Sequence, residues 1–324
     1  MSGTTRTAAA LLMALLASAV PAQVAREETP VTPYVFRDEA SVSWVLVPVV
    51  VRRAPGSPPP ARLRELLQED FRLTVDGVPV GFASFEAGAD APVRLVYVQD
   101  LSGSMANAGR LHASREALRC FLDRSRPGDE TALVTFASGQ TRLAVPFTGS
   151  PEPLAAALAS WEAYGTTALH DAVALLPELR AEDRSTKHAV VLVTDGGDNA
   201  SALGPARARE VVRAAELPVY VLDVASYRAA AGPVDPDSYA HVLRLLAEAT
   251  GGRYRAVAAG ELEGACAEIA KELRYQYVLG FQTRGSGDPS YHAIHVEVDA
   301  EGVVASHRQG YVGGPPLEPA RNDP

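Results

Sequence analysis

The stretch Val93-Arg94-Leu95-Val96-Tyr97-Val98-Gln99-Asp100-Leu101-Ser102-Gly103-Ser104 decides the reading of this chain. Val93 to Gln99 is short and nearly continuously apolar, the texture of a strand buried on both faces of a sheet. Thr131 to Ala137, Ala189 to Thr194 and Val219 to Ala225 share that texture. Helical patterns separate them at Leu111–Leu122, Pro153–Trp161, Leu169–Leu179, Ala206–Ala215 and Tyr239–Ala249, and Glu261–Leu273 closes the series. Strand alternating with helix predicts a doubly wound α/β unit around a mostly parallel sheet. Thr141 to Phe147 follows a strand after a short turn and reads as an antiparallel edge strand.

Outside this unit the rhythm is different. Ser41 to Val51 is β-branched and alternating, and Pro48 predicts a position near a sheet edge. Phe71–Val75 and Val78–Phe85 flank Asp76-Gly77, a hairpin signal. Tyr275–Gln282, Tyr291–Asp299 and Val303–Gly310 are three strands with no helix between them. The economical arrangement is a small β-module formed by both chain ends, with the α/β unit inserted through its middle. The expected boundaries are 40–91 and 274–313 for the two halves of the module, 92–273 for the insert and 314–324 for a tail.

Arg6, the apolar run Ala8–Val20 and Val20-Pro21-Ala22 have the layout of a secretory signal peptide at 1–22, cleaved after Ala22, with a polar linker at 23–39. The apolar run is too short to span a bilayer comfortably, so a secreted or periplasmic protein without a stable membrane span is expected. Among 324 residues, a net charge of −9 argues against a sequence-independent nucleic-acid binder, which must neutralise phosphates. Two cysteines exclude a disulfide-dense scaffold and a zinc site of paired cysteines.

Asp100, Ser102 and Ser104 alternate, so their oxygens can converge at the carboxyl end of the first α/β strand. Tyr164-Gly165-Thr166-Thr167-Ala168-Leu169 opens a helix, and Val193-Thr194-Asp195-Gly196 ends another strand. In open α/β sheets ligands collect at this rim, at the switch point between strands whose helices lie on opposite faces. Oxygen-only donors suit a hard cation, with Mg²⁺ preferring octahedral bonds of about 2.1 Å. Taken singly, Ser and Asp after a strand are ordinary turn and N-cap residues. Three such loops at one rim predict a metal site.

The chain resembles the von Willebrand factor type A domain over Val93 to Leu273, and Asp100-Leu101-Ser102-Gly103-Ser104 matches that family's metal-ion-dependent adhesion site, Asp-x-Ser-x-Ser. More narrowly it resembles secreted bacterial VWFA-related proteins. The segments carrying that likeness are Asp70-Phe71, Asp76-Gly77, Gly165–Asp171, Thr194-Asp195-Gly196, Ala249–Arg253, Leu273–Gly280 and Arg308-Gln309-Gly310-Tyr311. The resemblance implies a metal set of Asp100, Ser102, Ser104, Thr167 and Asp195, Thr167 being preferred over Thr166 by loop register. It also implies a divalent cation, Mg²⁺ first with Mn²⁺ or Ca²⁺ as alternatives, and a protein partner whose acidic residue completes the coordination. Gly197, where relatives often carry Glu, and the proline-rich stretch 54–61 depart from the pattern.

Several other residues have plainer readings. His292 and His295 fall on opposite faces of a strand and make poor co-ligands. His170 lies near the rim, but imidazole adds little to Mg²⁺ binding. Asp198 and Asn199 read as loop formers, and Asp171 as a first-turn residue favoured by the helix dipole. Tyr275, Tyr277 and Phe281 alternate on one face, with Phe85 and Trp44 available to pack against them. Cys120 and Cys266 fall in the first and last α/β helices, which the resemblance places side by side. Two buried thiols is the preferred reading, with a disulfide as the alternative. A Gly-x-Ser-x-Gly elbow and a Gly-rich phosphate loop are both lacking. The expectation is a binding module with no catalytic residues. The alternatives are a structural subunit with an inert α/β domain or, less favoured, a Mg²⁺-dependent hydrolase.

Overall fold

The computed structural model describes residues 42–57, 65–88, 90–179, 187–214, 217–225, 239–284 and 290–316. The expected leader and linker, and the residues of the proline-rich loop from 58 on, lie outside them. Four strands come first: β1 (Val42–Arg53), β2 (Phe71–Val75), β3 (Val78–Pro79) and β4 (Ser84–Glu86). The alternating unit follows as β5 (Val93–Asp100), α1 (Arg110–Leu122), β6 (Glu130–Ala137), β7 (Gln140–Thr148), α2 (Pro151–Ala159) and α3 (Leu169–Ala174). It continues through β8 (Lys187–Thr194), α4 (Pro205–Ala214), β9 (Val219–Asp223), α5 (Tyr239–Thr250), β10 (Tyr254–Ala256) and α6 (Leu262–Arg274). Then come β11 (Tyr277–Arg284), β12 (Tyr291–Val298), β13 (Val303–His307) and β14 (Gly310–Val312).

The central sheet has the order β10-β9-β8-β5-β6-β7, parallel except for β7. Its inner strands β5, β6, β8 and β9 are largely apolar and buried because both faces are covered, whereas the edge strands β7 and β10 are mostly half-buried or exposed. Tyr97, Leu133, Val191 and Tyr220 pack with Leu118 and Phe121 of α1, Leu158 of α2 and Ile269 of α6. Val96, Val98, Val190 and Leu192 face the other way, against Leu169 and Val173 of α3 and Leu243 and Leu246 of α5. β5 lies between β6 and β8, and the helix after β5 covers one face while α3, just before β8, covers the other. The carboxyl ends of β5 and β8 therefore open at a switch point.

The flanking strands form two antiparallel four-stranded sheets, β13-β1-β11-β4 and β14-β12-β2-β3. Their inner faces share one core, including Val45, Val47, Val49, Phe71, Leu73, Tyr277, Phe281 and Val296. The doubly wound unit is thus inserted in a β-module built from both ends. Arg52 of β1 pairs with Glu272 of α6 at 3.3 Å, tying the module to the insert.

Some local expectations fail for identifiable reasons. β1 is not an edge strand, since β11 and β13 flank it. The β13 ladder reaches only Val49, so Pro48 lies one residue outside it, on a flank that needs no backbone donor. Trp44 precedes Val45, and strand alternation turns it to the face opposite the core. Tyr275 caps α6, while Phe71, Phe85 and Tyr277 pack together and Phe281 meets Tyr311 edge-on at 5.5 Å. Tyr277 and Phe85 have ring centroids 6.0 Å apart. Asp76 (φ 50°) and Gly77 (φ 79°) form the expected turn with both central residues at positive φ. The strand after it is broken, however, into β3 and β4, which pair in different sheets.

β10 was hidden from sequence periodicity by its three-residue length. The glycines before it are required by close approach. A Cβ on Gly252 would lie 2.1 Å from the Val219 carbonyl oxygen, and one on Gly251 (φ +81°) would lie 2.5 Å from the Arg308 nitrogen. α3 ends at Ala174 and passes into a 3-10 turn at Leu176–Leu179. α1 and α6 pack together, and Cys120 and Cys266 in them are buried free thiols. His292 hydrogen-bonds Asp76 at 2.7 Å, whereas His295 lies beside Glu297 at 3.5 Å, so the two do not converge.

Candidate metal centre

Asp100, the last residue of β5, is fully buried. One carboxylate oxygen accepts the Ser102 backbone N–H at 2.8 Å, and the other accepts the Thr194 hydroxyl at 2.6 Å. The Thr194 oxygen in turn accepts the Gly196 N–H at 3.0 Å. Thr194 thus locks the third loop onto the first strand. In the sequence this threonine marks a strand end and opens a family-like segment, with no sign of its link to Asp100. Its signal was a polar residue closing an otherwise apolar buried strand.

Ser102 is buried, and its Oγ lies 3.1 Å from Ser104 Oγ. The second loop is tied to the first by Gly103 N–H donating to Gly165 O (3.0 Å) and Tyr164 N–H donating to Leu101 O (2.8 Å). Gly165 has φ +65°, and a Cβ there would lie 1.6 Å from Ser138 Oγ, so this crossing admits no side chain. Thr167 is buried, and its N–H donates to Asn199 Oδ1 at 2.9 Å. Its carbonyl accepts the N–H groups of Asn199 and Ala200, each at 3.0 Å.

Asp195, in the third loop, makes an ion pair that the sequence did not disclose. Its Oδ2 accepts Arg110 Nη1 at 2.7 Å, and the same nitrogen reaches Ser104 O at 3.2 Å. The Asp195 side chain is only 6% exposed and that of Arg110 19%, so the pair is largely out of water.

Asp198, Asp171 and His170 turn out to be structural ties between the second and third loops. Asp198 accepts the His170 N–H (2.9 Å) and the Ser201 hydroxyl (2.6 Å). Burial works against its charge, but these bonds outweigh it and hold its carboxyl below the usual range. Asp171 does more than face a helix dipole, for it accepts the N–H groups of Ala202 (2.9 Å) and Leu203 (3.0 Å). The His170 ring faces Leu203 O and Asp198, both at 3.2 Å.

The donor chemistry is two carboxylates and three hydroxyls, all hard oxygens. Adjacent ligands of an octahedron with bonds of about 2.1 Å stand about 3.0 Å apart, close to the Ser102–Ser104 spacing. Burial, with the Asp195 charge adding to it, pushes the Asp100 carboxyl above its ordinary range despite the bonds from Thr194 and Ser102. A cation at the rim would reverse that push. The residues therefore fit a hard divalent cation. Among the described residues no three His, Cys, Asp or Glu side chains cluster as ligands.

A mostly parallel sheet with three linked loops at its switch point defines a doubly wound α/β domain. Residues 95–197 match the von Willebrand factor type A domain, and this part of the chain is a domain of that family. Solved structures similar to the chain include a von Willebrand factor type A protein from Catenulispora acidiphila, 14% identical over 86% of this chain and 76% of that one, TM-score 0.47. Another is the vWF domain of the type V pili tip protein Mfa5 from Porphyromonas gingivalis, 12% identical over 56% of this chain and 94% of that one, TM-score 0.47. A third is the mussel byssus proximal thread matrix protein 1 with a zinc-occupied MIDAS motif, 16% identical over 63% of this chain and 50% of that one, TM-score 0.48. No curated protein matches the chain. No helix among the described residues is long and apolar enough to cross a membrane.

Proposed function

We propose that this chain is an extracytoplasmic binding module whose von Willebrand factor type A domain engages a protein partner through a divalent cation. Asp100, Ser102, Ser104, Thr167 and Asp195 hold the cation, Mg²⁺ first by donor chemistry, with Mn²⁺ or Ca²⁺ as alternatives. When bound, the cation supplies an open coordination position for an acidic side chain of the partner. The protein's own part is to hold the five oxygens in place: Thr194 orients Asp100, and the loop ties orient Thr167 and Asp195. The observation that carries the reading is the Ser102–Ser104 oxygen spacing of 3.1 Å, next to a fully buried Asp100. The leader-like segment at 1–22 supports a secreted or periplasmic site of action. We assign no catalytic residue.

The test is thermal unfolding in EDTA and in millimolar Mg²⁺, for the wild type and Asp100→Ala. Binding to the native state alone stabilises by RT ln(1 + [L]/Kd), about 2.7 kcal/mol at a hundredfold excess over Kd. A rise in midpoint that is absent in Asp100→Ala is expected. No rise in the wild type would reject the metal reading and favour a structural subunit with an inert domain.

A further inference from the structure

Arg110 pairs with Asp195 inside the proposed metal set but is itself none of the expected ligands. Arg110 opens α1, where the positive end of the helix dipole disfavours a cation, and no acidic residue occupies that first turn. Its guanidinium is nevertheless held within the rim, by Asp195 at 2.7 Å and the Ser104 carbonyl at 3.2 Å. Both of these contacts are to residues of the proposed ligand set. Without metal, the rim has among the described residues the carboxylates of Asp100 and Asp195 and the adjacent guanidinium of Arg110.

We propose that Arg110 is a built-in counter-cation of the rim, which holds Asp195 while metal is absent and competes with an entering divalent cation. The inference rests on the metal reading above and adds what regulates it. A buried carboxylate needs a positive partner. Arg110 meets that need in the metal-free state, and the divalent cation takes it over on binding. The guanidinium then turns from Asp195 toward solvent, which its 19% exposed side chain already borders. Metal affinity is therefore set below what the five oxygens alone would give, and the metal-free rim stays folded. A second consequence concerns charge. With two carboxylates, one divalent cation and Arg110, the loaded rim carries a net charge of +1, which favours an anionic partner.

The experiment is calorimetric titration of Mn²⁺ and Mg²⁺ into the full chain as wild type, Arg110→Gln, Arg110→Lys and Asp100→Ala. Gln keeps a donor for Asp195 without the charge, which protects the fold, and Lys keeps the charge. Arg110→Gln is expected to bind Mn²⁺ at least fivefold more tightly than the wild type, and Arg110→Lys to stay within about twofold of it. In EDTA the Gln variant should melt below the wild type, with the gap closing in Mn²⁺. Equal or weaker binding by Arg110→Gln, with binding abolished in Asp100→Ala, overturns the competition and leaves the metal site standing. No binding by the wild type or by Arg110→Gln overturns both.

Discussion

Thr194→Val tests how the rim is held together, because it keeps the shape of the side chain and removes its hydroxyl. Thr194 is fully buried and makes two bonds, donating to Asp100 at 2.6 Å and accepting the Gly196 N–H at 3.0 Å. A hydrogen bond to a charged group contributes about 1.5–3 kcal/mol, and a buried N–H left without an acceptor costs about 1–3 kcal/mol. Gly196 is buried as well, so the two effects together put the expected net loss at about 2.5–6 kcal/mol. Thr194→Ser retains the hydroxyl and should cost no more than about 1 kcal/mol, the value of one buried methyl group. Urea unfolding at pH 7 in EDTA measures both. The Asp195 loop also loses its tether to β5, so Thr194→Val should bind Mn²⁺ more weakly than Thr194→Ser in the same titration. A Val variant within 0.5 kcal/mol of the wild type, or one no different from the Ser variant, would refute the role assigned to this hydroxyl.

Two further predictions concern the opposite end of the sheet. Asp129 accepts the N–H groups of Val93 and Arg126, each at 2.8 Å, and pairs with Arg274 at the end of α6. Burial raises its pKa, but the Arg274 and backbone bonds outweigh it and hold the carboxyl below 3.8. Its stabilising contribution is therefore complete above the unfolded value and lost as pH falls through the folded one. Asp129→Asn should cost about 2–4 kcal/mol at pH 7, with the gap to wild type narrowing below pH 3.8; a gap that is constant down to pH 2 would contradict this. Lys187 is 1% exposed and donates to the carbonyls of Gly88 (2.6 Å) and Arg274 (2.7 Å), and burial pushes its pKa down from 10.5 to about 8. Its ammonium is thus disfavoured in the fold, a penalty present in full below the folded pKa and gone above the unfolded one. Relative to Lys187→Met, the wild type should gain up to about 3 kcal/mol as pH rises from 7 to 10.5; a flat or falling difference would disprove it.

Much of the fold could be read from texture. The strands beginning at Val93, Thr131, Ala189 and Val219 are apolar on consecutive positions because both faces of their sheet are covered, and sequence alone reveals such runs. The markers Gly251-Gly252 and Arg308–Tyr311 serve close packing in the structure. Gly252 lies against β9, while Arg308 is buried with its Nε on Gly310 O at 2.8 Å. What could not be read were features shorter than a period or dependent on a neighbour's register. β10 has three residues, and the central position of β1 follows from where β13 ends.

At the rim the division follows the same physics. Sequence by itself determined that Asp100, Ser102 and Ser104 follow a buried strand in alternation, because strand and loop geometry are local and their spacing is written in the chain. It also offered Thr167 and Asp195 as candidates, since each lies beside a strand end or helix start of the same unit. Only the tertiary structure decided that the Thr194 hydroxyl orients Asp100, that Asp198 and Asp171 bind one loop to another, and that Arg110 reaches Asp195 across 85 positions. Hydrogen bonds and ion pairs act over about 3 Å in space, whatever the separation along the chain.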